Sequence, residues 1–234
     1  MKKIILCVFL SVPFLSNAQG NIHHHNLQFF RYQFSLCLHN NYTLKLEAEE
    51  RSFLGFRRQS QYIIRAGGEK EIYKNLTLGG SFTYSNVSNP QDPDASYTSI
   101  SSEYRPSLYL TFKNQLSKKW AWQQRFQQDI RFFEEPKNCY TYSNMRSRYL
   151  MEIDYSINHN FSAKLSDELI FNTQNNKPVC AFEQNRISLA VHTQFNKSWA
   201  SEISYIKWFQ QFSSGNEYYD KNILRLAILH KIVI

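Results

Sequence analysis

Charged side chains recur at every second position through long stretches of this 234-residue chain, and that spacing limits the chemistry they can do. Between Met145 and Ile157, Arg146, Arg148, Glu152 and Asp154 alternate with Met145, Tyr149, Met151, Ile153 and Tyr155. Between Trp120 and Phe133, Gln123, Arg125, Gln127, Asp129 and Arg131 stand opposite Trp120, Trp122, Phe126, Ile130 and Phe132. Successive side chains of a strand point to opposite faces, so each stretch has one charged and one apolar face. A helix would spread the same charges around its circumference. Three-residue turns then set cross-strand partners. A turn centred on Asn40 places Arg31 opposite Glu49. One centred on Ser117 places Glu103 opposite Arg131 and Arg105 opposite Asp129. Turns centred on His159 and Lys197 pair Asp154 with Lys164 and His192 with Glu202. Each pair is opposite in sign, or becomes so on protonation of His192, and opposite charges across a ladder are mildly stabilising. The expected inner ladder is Arg31, Glu49, Glu103, Arg105, Arg125, Asp129, Arg131, Arg146, Arg148, Glu152, Asp154, Lys164, His192 and Glu202. Such groups either neutralise one another in a narrow, wet interior or form a charged constriction that selects solutes.

Other reactive constellations are sparse. His192 beside Glu202 has the makings of half a nucleophilic relay, but the sequence places no serine against it. His23, His24 and His25 offer imidazoles to a metal, although adjacent histidines near a chain end equally describe an exposed tail. No Gly-x-Ser-x-Gly elbow, His-Glu-x-x-His helix or phosphate-binding glycine loop occurs, so no catalytic residue, metal or cofactor is assigned, and enzymatic activity stays open with the balance of the sequence against it. Cys37, Cys139 and Cys180 form no Cys-x-x-Cys pair and no zinc spacing. Cys139 and Cys180 fall in two successive long loops on one side of the expected fold. That leaves open a disulfide between them or two unpaired thiols. Asn41, Asn75, Asn86, Asn160 and Asn196 match the glycosylation pattern, yet Asn at a turn followed by Thr or Ser entering a strand explains most of them.

The elements that must carry these residues are nearly all strands. Period-two runs cover 27–39, 42–53, 58–70, 76–85, 99–114, 120–133, 140–157, 161–171, 182–195, 199–210 and 220–234. Many exceed the five or six residues common in soluble strands and suit the roughly 9–11 needed to cross a bilayer. Connections alternate too. Those at 39–41, 71–75, 115–119, 158–160 and 196–198 are short, whereas those at 54–57, 86–98, 134–139, 172–181 and 211–219 are mostly longer. Short turns at one end and long loops at the other are the build of an outer-membrane barrel. Trp120, Trp122 and Trp199 begin strands just after short turns, where an interfacial aromatic girdle would lie. Three features resist this reading: an odd strand count where bacterial barrels have even numbers, Pro106 inside a strand, which suggests a bulge, and a final Ile234 in place of an aromatic residue.

The N-terminus supplies an address. Met1-Lys2-Lys3, the apolar run Ile4–Leu15 and the small Ala18 form a secretory signal with cleavage expected before Gln19. Removing residues 1–18 takes away two lysines and no acids. The remaining basic excess is modest and scattered, which argues against a nucleic-acid partner, as export also does. Mean hydropathy is −0.51, and no later apolar stretch reaches the roughly 20 residues of a spanning helix. The count of 18 Phe, 15 Tyr and 4 Trp excludes a disordered chain.

The segments Ala48-Glu49-Glu50-Arg51, Ser102-Glu103-Tyr104-Arg105-Pro106, Gln124 to Phe132 and Arg146-Ser147-Arg148-Tyr149 follow one another with a suggestive spacing. In these the chain resembles a group of exported Gram-negative proteins known only as a domain of unknown function and regarded as outer-membrane barrels. The resemblance spans roughly the whole exported chain and implies fold and location. It supplies no catalytic residues. The expected organisation is a signal peptide at 1–18, a short segment at 19–26, and a single all-β antiparallel transmembrane barrel of about 10–12 strands at 27–234. Outer-membrane lipid is the expected partner, with a small solute left open. The expected role is structural, binding or passive permeation. Two alternatives stand beside it: an integral outer-membrane enzyme acting on lipid or lipopolysaccharide, and a soluble exported β-barrel or sandwich that binds a ligand.

Overall fold

The computed structural model describes residues 21–55, 58–135, 139–174, 177–211 and 217–234, with only the strand assignment for residues 174 and 177–180. The expected signal peptide lies outside these residues. Eleven strands follow in order: β1 (Asn21–Cys37), β2 (Tyr42–Phe53), β3 (Gln59–Tyr73), β4 (Leu76–Asn89), β5 (Ser99–Gln115), β6 (Trp120–Glu135), β7 (Cys139–Ser156), β8 (Phe161–Gln174), β9 (Lys177–Gln194), β10 (Trp199–Gln211) and β11 (Glu217–Val233). Neighbours in sequence pair antiparallel all the way round. β1 then closes on β11 in parallel, giving one closed barrel without a free edge.

Parallel closure resolves the odd count. In an up-and-down meander of eleven strands, the first and last run in the same direction and can only pair that way. The segment expected to stand apart at 19–26 is, from Asn21 onward, the first part of β1, where Asn21–Asn26 register with Glu217–Asn222. Following the register from Arg31 through β2 to β6 reaches β7 at Thr141, whereas the path through β11 to β8 reaches Ser156. The two arrivals are almost a strand length apart, and this stagger tilts the strands and sets the bore.

Local chemistry explains the short turns. Asn40 and Asn41 between β1 and β2, and Asn75 between β3 and β4, adopt positive φ, a conformation that asparagine tolerates better than other residues with a Cβ. The β5–β6 connection differs from the expected one. Ser107 pairs with Asp129 and Glu103 with Phe133, so the register is two residues away from a turn centred on Ser117. Arg131 and Asp129 therefore do not face Glu103 and Arg105 directly. Pro106 pairs with Phe82 on β4 but not with β6, and the register with β6 is the same on both sides of it. It omits ladder bonds without the expected bulge. One close approach needs glycine: the Tyr109 ring covers Gly79 across the β4–β5 pair, and a Cβ there would lie 2.3 Å from the ring.

The two faces of the wall are sorted. Outward lie Leu108, Leu189, Ile203 and Leu224, each more than half exposed, an apolar belt that no described part of the chain covers. Trp199 stacks on His230 at 4.0 Å and Trp120 leans on Tyr155 at 4.6 Å near the short turns. Tyr84, Tyr104 and Tyr140 cluster near the long-loop end. An aliphatic band between two aromatic rims is the pattern that the outer surface of a membrane barrel would carry. Inward, the buried set is dominated by Glu, Arg, Asp, Ser and Gln. Apolar burial is concentrated in Leu27, Phe29, Phe53, Ile206, Trp208 and Ile223 along the β1–β11 seam.

Candidate functional site: the charged lumen

Every strand contributes to one internal cavity of about 1180 Å³, lined from Lys113 and Leu229 near the short turns to Asn89 and Gln211 near the long loops. Its charges are arranged in clamps, each built by a carboxylate that several strands reach. On β1–β3, Arg31 donates through Nε to Glu49 at 2.7 Å, Arg51 donates to the other oxygen of Glu49 at 2.6 Å, and Arg65 pairs with Glu47 at 2.8 Å. On β5–β6, Glu103 receives Arg105 Nη2 at 2.7 Å and Arg131 Nε at 2.6 Å. On β6–β9, Glu168 accepts from Arg148 at 2.8 Å and Arg125 at 3.2 Å, with Arg186 at 3.6 Å. Asp129 accepts from Ser107 and Gln127, both at 2.7 Å, and has Arg148 at 3.7 Å. Arg146 forks onto Glu183. Nearer the short turns, Lys164 and Arg225 share Glu202 at 2.8 and 3.0 Å.

Measured against the sequence, the register Arg31↔Glu49, Asp154↔Lys164 and His192↔Glu202 is as expected, but partnership is not always direct. Lys164 reaches across to Glu202 and not to the facing Asp154. His192 contacts Gln194 at 3.3 Å, while both oxygens of Glu202 are taken by Lys164 and Arg225. Glu103 still holds Arg131, although diagonally. Glu152 lines the cavity. The ladder omitted Glu47, Arg51, Arg65, Glu168, Glu183, Arg186, Lys221 and Arg225, although each occupies an inward position of its strand. Carrying the alternation through every run would have found them.

The histidines at the start of the chain sit in β1. His24 lies 3.2 Å from Asp220, and the rings of His23 and His25 pack near Tyr219. Among the described residues no group of three or more His, Cys, Asp or Glu gathers as a metal site. Cys139 opens β7 and Cys180 belongs to β9, so both lie in strands instead of the expected loops. Of the two alternatives left open for Cys139 and Cys180, Cys139 is a free thiol here, and the Cys180 side chain lies outside the described residues. Cys37 is also free, as expected for a wall cysteine.

A closed up-and-down barrel, apolar outside and ion-paired inside, places this protein in the architectural class of the porin-like β-barrels. The chain belongs to a family described as a protein of unknown function, DUF2490, whose model matches residues 28–219. Among solved structures it is similar to the NanC porin, with 11% identity, 88% of this chain and 98% of that chain covered, and a TM-score of 0.53. It also aligns with the KdgM porin, solved in complex with disordered oligogalacturonate, at 11% identity, with 75% and 81% of the two chains covered and a TM-score of 0.44. The comparison with curated proteins finds no match.

Proposed function

We propose that this protein is an outer-membrane barrel that passes or binds small anionic solutes through its lumen. The observation that carries the reading is the charge of the cavity. Among the described residues fourteen Arg and Lys side chains line it against seven Glu. Glu49, Asp129 and Asp154 add three acids in the wall, so cations still exceed acids by four. A charge excess confined between low-dielectric walls focuses the field and raises the local concentration of counter-ions, here anions. Rings of fixed Arg and Lys are the means by which anion pores select. The unpartnered apolar belt supports a membrane location over a soluble binder, which would have to bury those residues. The enzyme reading lacks a gathered nucleophile and relay, because the carboxylate facing His192 is engaged elsewhere.

The test combines envelope fractionation with reconstitution. The native protein is expected in the outer membrane, with faster gel migration before boiling than after, and the purified protein is expected to conduct in planar bilayers. A periplasmic protein without a heat-sensitive band would overturn the reading.

A further inference from the structure

One part of the lumen holds positive charge that the clamps leave unmatched. Arg186 on β9, Trp208 on β10 and Lys221 on β11 stand side by side in register. The guanidinium of Arg186 lies 4.1 Å from the indole centroid and the Lys221 ammonium 4.5 Å from it, with Arg51 at 5.9 Å. Lys221 and Trp208 are more than nine-tenths buried. Among the described residues Lys221 pairs with no carboxylate; its Nζ donates to Gln210 Oε1 at 3.3 Å. Arg186 donates to Gln184 at 2.7 Å, and its nearest acid, Glu168, is 3.6 Å away and already holds two other arginines. Arg186 Nε and Trp208 Nε1 are buried donors without an acceptor. All three side chains line the cavity.

Buried cations and N–H donors are retained in native structures when something supplies the matching acceptor. Here donors of three kinds are gathered, and among the described residues no carboxylate pairs with Lys221 and no acceptor meets Arg186 Nε or Trp208 Nε1. We propose that Arg186, Trp208 and Lys221 form a binding site for an oxyanion group, a carboxylate or phosphate carried by a small polar solute. The ammonium and the guanidinium supply charge-assisted hydrogen bonds, and the indole adds a neutral donor. Phe29 and Ile223 beside the site make its surroundings apolar, which strengthens both bonds. The site faces the bore and not the lipid, so its ligand arrives as a solute. This deepens the permeation reading and rests on it, but the two can fail separately.

The experiment is calorimetric titration of the folded protein in uncharged detergent with inorganic phosphate, sodium gluconate and, as neutral control, glucose. Saturable binding of phosphate or gluconate, with no heat from glucose, is expected, and the stronger of the two anions identifies the class. Lys221→Met should weaken binding about tenfold or more, from the loss of a charged hydrogen bond. Lys221→Arg should retain it, and Trp208→Phe should weaken it several-fold while keeping the ring. Heat-modified gel migration verifies that each variant is folded. Absence of saturable anion binding, or binding that Lys221→Met and Trp208→Phe leave unchanged, overturns the site. Bilayer conductance of the same samples reports on permeation independently.

Discussion

Glu103 is a carboxylate of the wall held by two arginines, and a place to ask whether the clamps are dry. Its side chain is 1% exposed, and its two partners, Arg105 and Arg131, are 10% and 13% exposed. Four hydrogen bonds of 2.6–3.2 Å join them. Glu103→Gln keeps the shape but removes the charge, and the new amide NH2 faces a guanidinium that can only donate. Removing one partner of a buried pair typically costs about 3–5 kcal/mol, because the remaining charge is left uncompensated. A pair that lumen water could re-solvate would behave as an exposed bridge, worth about 0–1 kcal/mol. The burial of both guanidiniums favours the larger figure, so a loss of about 3–5 kcal/mol is expected. The assay is urea unfolding of the protein refolded into phospholipid vesicles, followed by heat-modified gel migration. Replacing Glu103, Arg105 and Arg131 together by Met should recover most of the loss, since no buried charge is then stranded. A Glu103→Gln midpoint within error of the wild type would mean instead that the clamps are solvated and the wall charges mobile.

Other perturbations probe the outer face, the ends and the close packing. Leu110→Arg places a charge in the middle of the outward aliphatic belt, where about 2–4 kcal/mol is expected. Refolding yield in vesicles should fall for Leu110→Arg and hold for Leu110→Ala, and equal yields would mean that this face does not meet lipid. In a Cys180→Ser background, a membrane-impermeant maleimide added to intact cells should label Cys139, which is exposed at the long-loop end, and leave Cys37 near the short turns unlabelled; the reverse pattern would invert the barrel. Gly79→Ala should cost about 1–3 kcal/mol by overpacking, because the Tyr109 ring and its 3.2 Å bond to Glu69 must give way. A neutral result in the same urea assay would show the ring free to move.

The strands and their facing were legible because a barrel wall imposes alternation at every step. Arg146, Arg148, Glu152 and Asp154 point inward while Met145, Tyr149, Met151 and Ile153 point outward, and nothing but β geometry sorts them so. Register was legible where the turn carried its own signal. Positive φ at Asn40 fixes the β1–β2 hairpin and with it Arg31 opposite Glu49. Between β5 and β6, the run Leu116–Lys119 leaves the length of the turn open, and the expected pairing missed by two residues. Closure of β1 on β11 had no local signature, since the partners lie at opposite ends of the chain and no turn joins them. The clamps were hidden for a related reason. Lys164 faces Asp154 across a ladder but is long enough to choose Glu202 two strands away, a preference set by curvature and depth and not by spacing. Trp208, with cations from the neighbouring strands against it, reads in the sequence only as one aromatic residue beside Lys207.

If the cationic excess of the lumen governs what passes, the pore should discriminate by charge. The most direct test is the reversal potential of the purified protein in a planar bilayer under a potassium chloride gradient. Selectivity for chloride over potassium of about several-fold is expected from a field of a few kT in a low-dielectric bore, with a ratio that falls in Arg225→Gln and Lys45→Gln. Selectivity for potassium, or a bilayer that stays silent with demonstrably folded protein, would contradict that expectation.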